Sequence, residues 1–276
     1  MYNCLMDEEE LRSRLADLPI TALRCFDIVG STNDEAIAWA EAGAGDLSLV
    51  IAEQQTSGRG RMGRSWYTCP GGALAFSLVV RPSEVEQAYL TLFSLAAALA
   101  LCQALEDAYD LHCQVKWPND VLINMKKVAG VLSESTWVGT QVQAVVIGMG
   151  VNVAAASHLV EQPLLFPATS IEAETGGRVD RIDVLHDLLN RFVVWRAKIC
   201  QPEFQVACIA RLAFLGKKVI LQQGETRKSG TLDGIESDGA LRLLDEDGGL
   251  SVINAGDVHL RPDEMNEKNH KGGPHV

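Results

Sequence analysis

CQVKWPNDVLINMKKVAGVLSE, Cys113 to Glu134, is the stretch that decides the fold. It contains three short apolar or alternating runs of strand length, Cys113 to Trp117, Val121 to Ile123 and Val128 to Glu134. Pro118 forces an extended or turning chain between the first two, and the polar Lys126-Lys127 pair leads into the third. Val142 to Gly148 continues the series downstream, and Leu23 to Val29, Leu47 to Ala52 and Ala73 to Arg81 read as strands upstream. Helical patterns cover Asp7 to Leu18, Asp34 to Ala44 behind a cap at Ser31 to Asn33, Ala88 to Leu105, and Ile182 to Cys200. In the last of these Leu185, Leu188, Leu189, Phe192 and Trp195 recur at helical spacing and form a core stripe. This order predicts an α+β fold, a mixed β-sheet with helices packed on one face.

After Phe214-Leu215-Gly216 the texture changes. Lys218 to Gln222, Lys228 to Ile235, Ala240 to Leu244 and Leu250 to Asn254 are short strands split by Gln223-Gly224, Asp238-Gly239 and Asp247-Gly248. They predict a small all-β barrel. The expected division is a catalytic unit over residues 1–214, a barrel over 215–262 and a polar, disordered tail over 263–276.

The 276 residues carry 24 Lys and Arg against 36 Asp and Glu, and the net charge of -12 argues against general attraction to nucleic acid. An anion site must therefore be a local basic cluster. The seven cysteines lack paired CxxC spacing and read as free thiols in a reducing compartment. The acidic N-terminus is not a secretory signal. Ala88 to Leu105 approaches membrane-spanning length, but Thr91, Ser94 and Gln103 interrupt it and acidic residues flank it, so it reads as a core helix. A cytoplasmic protein without a membrane partner is expected.

Gln54 to Gly72 holds five glycines and three arginines and reads as a loop. In Gly58-Arg59-Gly60-Arg61-Met62-Gly63-Arg64 small residues let the backbone approach an anion, while guanidinium groups suit phosphate oxygens. A solvated or disordered basic loop is the alternative, and Trp66 and Tyr67, which need burial, weigh against disorder. No Walker A ending is present, and Gly148-Met149-Gly150-Val151-Asn152-Val153 lacks the third glycine of the dinucleotide fingerprint. Within Lys116-Trp117-Pro118-Asn119-Asp120, the Asn119 and Asp120 oxygens suit a magnesium ion that also binds phosphates, or simply cap a turn. Lys127 sits where a polar turn enters a buried strand.

Gly30-Ser31-Thr32-Asn33, Ala52-Glu53-Gln54-Gln55 with GRGRMGRSW, then KWPND, KVAGVL and IGMGVNV form an ordered series from about Phe26 to Val153. That series resembles the catalytic domain of the biotin protein ligases, which is class II synthetase-like, and the C-terminal strands resemble the SH3-like domain of the same family. The resemblance implies that Ser31, Thr32, Asn33 and Gln55 line a biotin site and meet the ureido ring, with Trp66 packed beside it. It implies that Gly58, Arg59, Gly60 and Arg61 belong to a loop closing over biotin and its adenylate, and that Arg64 contacts nucleotide phosphate. Lys127 would meet the biotin carboxyl and the α-phosphate, with Gly130 nearby, and Lys116, Asn119 and Asn152 would border the nucleotide. Residues 154–166 would form a mobile loop over the adenine.

The implied chemistry joins biotin to ATP and passes the biotinyl group to a lysine of a biotin carboxyl carrier protein. Lys127, Arg61, Arg64 and magnesium would meet the phosphoryl charge, and Asp120 would orient or deprotonate the incoming amine. About thirty residues precede Ser31, too few for the winged helix of repressor relatives, so no repressor role is expected. A monomer or a homodimer fits equally. A lipoate or octanoate transferase on the same scaffold and a catalytically silent biotin-binding module are the rival readings.

Overall fold

A computed structural model of the chain describes residues 6–155, 167–223, 226–254 and 258–262. The expected disordered tail, most of the expected adenine loop and Cys4 lie outside the described residues. In chain order the larger part comprises α1 (Glu8–Arg14), β1 (Ala22–Val29), α2 (Thr32–Glu41), β2 (Ser48–Gln55), β3 (Ala73–Val80), α3 (Leu92–Tyr109), β4 (Cys113–Lys116), β5 (Asp120–Ile123), β6 (Lys126–Val138), β7 (Gln141–Asn152), α4 (Ile171–Thr175), α5 (Arg181–Arg196) and α6 (Pro202–Ala210). β8 (Lys218–Gln223), β9 (Thr226–Ile235), β10 (Leu241–Leu244), β11 (Leu250–Ile253) and β12 (Val258–Pro262) follow.

Seven strands form one sheet in the order β1-β2-β3-β7-β6-β5-β4. β1 and β2 run parallel and the other neighbours antiparallel, which makes the sheet mixed, as expected. The eight residues of β3 are buried without interruption because both faces are covered. On one face Leu49, Ile51, Leu74, Phe76, Ile147 and Met149 join the core that contains α3 and α5. Each such fully buried side chain contributes about 1.5–3 kcal/mol. The opposite face carries α2, whose Ala36 and Ala40 pack on Val50, Val79, Ala144 and Val146. This single helix on the second face goes beyond the expected arrangement, and it lies over the chemistry.

α3 runs four residues later than the sequence pattern suggested at either end. Ser83 and Glu86 exchange hydrogen bonds of 2.7 and 3.4 Å at the start of a separate 3-10 turn over Glu86–Tyr89, and left-handed Asp110 (φ 54°) ends α3. By length and composition α3 could cross a membrane, yet its side chains form the core between the sheet and α5. Glu53 on β2 makes a bidentate ion pair of 2.8 and 2.9 Å with Arg181 at the start of α5. The five C-terminal strands form an antiparallel sheet in the order β11-β10-β9-β8-β12. β12 adds a strand to the four read from the sequence.

Candidate active site

The site is built on the α2 face of the large sheet, and its floor is a consequence of register. Ala75, Gly150, Gly130, Asp120 and Lys116 are direct partners across β3, β7, β6, β5 and β4. Opposed residues point to one face, so this row runs from small residues to a carboxylate and an ammonium group. Ser77, Gly148 and Leu132 form the adjacent row. A Cβ on Gly148 would stand 2.0 Å from Asn33 Oδ1, and one on Gly150 would stand 2.0 Å from Cε2 of Trp66. The two glycines of IGMGVNV are therefore sockets in the sheet, one for the start of α2 and one for the indole.

Over Gly148 lies a buried polar group. Thr32 donates its backbone N–H and its hydroxyl to Gln55 Oε1, at 2.8 and 3.0 Å. The Ser77 hydroxyl lies 2.6 Å from Asn33 Oδ1 and 2.8 Å from Thr32 Oγ1. Asn33 Nδ2 donates to Glu134 Oε2 at 2.7 Å and to the Leu132 carbonyl at 3.2 Å. Ser31 precedes them, 3% exposed, at the N-cap of α2. Every one of these side chains is neutral except Glu134, which also accepts from Arg59 at 3.0 Å.

The GRGRMGRSW segment is a tight hairpin within the loop expected there. Arg59 bridges Ser65, Gly60 N–H donates to Arg64 O at 2.7 Å, and Trp66 N–H donates to Gly58 O at 2.8 Å. Gly58 is required at the stem, because a Cβ there would meet Trp66 O at 2.4 Å. The turn closes through Met62 and Gly63 at φ 59° and 70°. Arg59 clamps the hairpin to α2 and β6 through Asp34 and Glu134, while Arg61 Nη1 donates to Asn119 Oδ1 at 3.3 Å. The stem thus lowers Trp66 onto Gly150. Its buried Nε1 has no hydrogen-bond partner among the described residues.

At the other end Lys127 Nζ stands 2.6 Å from Asp120 Oδ1 and 5.6 Å from the Trp66 ring centroid. A strand's alternation would put Lys127 and Gly130 on opposite faces. The β5–β6 register shifts between Val121 and Leu122, so that Val128 is an extra residue in β6. Val128 and Ala129 both enter the core, and the bulge turns Lys127 onto the Gly130 side, where a Cβ would meet Nζ at 3.0 Å. Lys116 Nζ lies 3.4 Å from Asp120 Oδ2. Burial pushes the Lys116 ammonium below the ordinary lysine range; Asp120 opposes this, and repulsion from Lys127 and Arg64 adds to it. Burial would raise the Asp120 carboxyl, but Lys127 and Lys116 outweigh it and hold the group below the usual carboxylate range.

This geometry bears on two expectations. Asp120 has a lysine on each oxygen and is held as the carboxylate, an arrangement that orients the two ammonium groups. The oxygens expected to meet a magnesium ion shared with phosphates have partners within the chain. Asn119 Oδ1 accepts from Arg61, its Nδ2 donates to Val131 O at 2.8 Å, and the Asp120 oxygens hold cations. Asn152 follows Gly148 and Gly150 on the same face of β7 and donates to Thr169 O at 3.0 Å, tying down the chain that returns after residues 156–166. Ser77, Glu134 and the socket role of Gly148 and Gly150 were missed by the sequence reading.

Residues 26–152 match the biotin/lipoate A/B protein ligase family, and residues 214–261 match the biotin protein ligase C-terminal domain. The chain is 41% identical over 234 residues to the biotin--[acetyl-CoA-carboxylase] ligase of Paracoccus denitrificans, covering 83% of this chain and 96% of that one. The enzyme of the same name from Mycobacterium tuberculosis is 34% identical, with 93% and 96% covered. The biotin protein ligase of Aquifex aeolicus, solved in complex with biotin and ATP, superposes with a TM-score of 0.76 at 30% identity, covering 88% of this chain and all of that one. A sheet floored by glycines, a polar group at one end and a cation group at the other accompany these matches, and the chain belongs to the biotin protein ligases.

Proposed function

We infer that the chain activates biotin with ATP and transfers the biotinyl group to one lysine of a biotin carboxyl carrier protein domain, as part of acetyl-CoA carboxylase or a related carboxylase. The observation that carries this reading is the continuous row from Asn33 on Gly148, through Trp66 on Gly150, to Lys127 on Gly130. A urea headgroup suits Thr32, Asn33, Gln55 and Ser77, which offer donors and acceptors in a buried place. The dithiolane of lipoate offers this group neither a donor nor a strong acceptor to match, so biotin is favoured over lipoate or octanoate.

In the first half-reaction a biotin carboxylate oxygen attacks the α-phosphorus, the bond to the β-phosphate oxygen breaks and pyrophosphate leaves. Lys127, Lys116, Arg61 and Arg64 gather where that charge develops, opposed by Asp120 alone among the groups that shift Lys116. Magnesium belongs to the nucleotide substrate here. In the second half-reaction the carrier amine attacks the acyl carbon of biotinyl-5′-AMP, AMP departs and the amine gives up its proton. Lys127, held by Asp120, steadies the acyl oxygen as it becomes negative. The hairpin bearing Arg59 and Arg61 covers the intermediate, and it holds the Trp66 ring on Gly150 between the two ends. Residues 1–214 form the catalytic unit and 215–262 the smaller one in this reading.

The test is pyrophosphate release from the full chain with ATP, magnesium and either biotin or lipoate, followed by the mass of an added biotin carrier domain. Biotin-dependent release with carrier labelling is the expected result. Release with lipoate alone would reassign the substrate, and biotin binding without release would indicate a silent module.

A further inference from the structure

Trp117, in the middle of the Lys116–Asp120 turn, is 1% exposed and follows β4 directly. Its indole Nε1 donates to the carbonyl of Gly239 at 2.9 Å, across 122 positions of sequence. Gly239 lies in the turn between β9 and β10 of the small sheet. That turn is rigid: Gly239 N–H donates to Glu236 O at 2.9 Å, Glu236 N–H to Ala240 O at 2.7 Å, and Ala240 N–H to Asp238 Oδ1 at 2.9 Å. It is also docked on α3, where Thr91 Oγ1 donates to Asp238 O at 2.7 Å. Gly239 has φ +85°, and a Cβ there would stand 2.6 Å from Leu92 Cδ2 and 3.2 Å from Leu95 Cδ1, so no other residue fits without displacement.

The same stretch is gripped on its other side. Val115 exchanges backbone hydrogen bonds with Arg211 O and Ala213 N–H, at 2.7 and 2.9 Å, along the outer edge of β4. Arg211 is in turn held by Glu106 of α3 through contacts of 2.7–3.0 Å. Lys116 therefore sits between two anchors, Val115 and Trp117, each fixed by chain that lies at or beyond the end of the large unit. Asn119 and Asp120 follow two and three residues after Trp117.

We propose that the β9–β10 turn positions the adenylation site, with Gly239 acting through Trp117 on the Lys116–Asp120 turn. Gly239 is a positioning residue that reaches no substrate itself. The inference rests on the function proposed above and deepens it: the small sheet contributes to ATP turnover and leaves the biotin end, built from α2, β2, β3 and β7, alone.

Trp117→Phe in the full chain removes the N–H and keeps a ring in place. Biotin-dependent pyrophosphate release is measured against ATP concentration, and biotin affinity is measured separately by calorimetry. The expected result is a roughly tenfold loss in kcat/KM for ATP with biotin affinity unchanged. Gly239→Ala should give a similar loss, and the double variant should be no worse than either single one, because both act through one bond. Unaltered ATP kinetics in Trp117→Phe, additive losses in the double variant, or an equal loss of biotin affinity would each overturn the proposal and leave a packing contact. If Gly239→Ala does not fold, Trp117→Phe decides alone. A wild-type chain that releases no pyrophosphate with biotin would sink the proposed function first, and this inference with it.

Discussion

The two ends of the site are supported by the same sheet but prepared in opposite ways. At the polar end Thr32, Asn33, Gln55 and Ser77 are hydrogen-bonded to one another, so their geometry is fixed before any ligand arrives. At the cationic end Lys116, Lys127 and Arg64 are gathered against mutual repulsion, with Asp120 as the compensating charge. One end is neutral and bonded within itself, and the other concentrates positive charge around one carboxylate. The difference assigns affinity to the polar end, where partners are exchanged without change of charge, and rate to the cationic end, where charge grows during the reaction.

The largest effect expected from this division is in rate. Lys127→Gln should lower kcat for biotin-dependent pyrophosphate release about a thousandfold while biotin affinity changes little, a loss typical of removing one charge-stabilising group. Single-turnover kinetics with calorimetry on the same variant checks both parts, and a loss confined to affinity would break the comparison. Gly148→Ala should do the reverse. Its methyl group would displace Asn33, and biotin affinity should fall about a hundredfold, close to 2.7 kcal/mol, with kcat at saturating biotin largely retained. A fallen kcat at saturation would show that the ends are coupled.

The smallest effect sharpens the picture. The Lys116 ammonium is lowered in the free protein by burial and by neighbouring cations, and the triphosphate would favour its charged form again. ATP binding should therefore take up a proton at alkaline pH, and KM for ATP should rise a few-fold as pH climbs through the depressed Lys116 value. Biotin affinity should stay level over that window. Lys116→Arg, which keeps its charge throughout, should flatten the alkaline limb. A limb that persists in Lys116→Arg would assign the titration elsewhere.

Much of the fold was legible because its information is local. Alternating runs such as Cys113 to Trp117, and Ala73 to Val80, apolar but for Ser77, carry the strand signal in consecutive residues. The short α4 and α6 passed unread, although Pro202 at the first turn of α6 is a start signal of the ordinary kind. The site was legible as a set of motifs and illegible as an arrangement. Gly148 and Gly150 were weighed as a broken dinucleotide fingerprint, since spacing alone does not tell what rests on a glycine. Ser77 was hidden in an apolar run, and Glu134 at the close of another. The two lysine partners of Asp120 are visible only once β4, β5 and β6 are side by side.

The extra residue at Val128 makes the lysine's orientation a matter of counting. Straighten the bulge with the residue count kept, and the three steps from Gly130 back to Lys127 turn the ammonium toward the hydrocarbon interior. Such a chain would have a better strand and a worse enzyme. Drift in this part of the protein is therefore free to change side chains only while the bulge survives, and a change that irons it out would do its harm without removing any residue that touches the substrates.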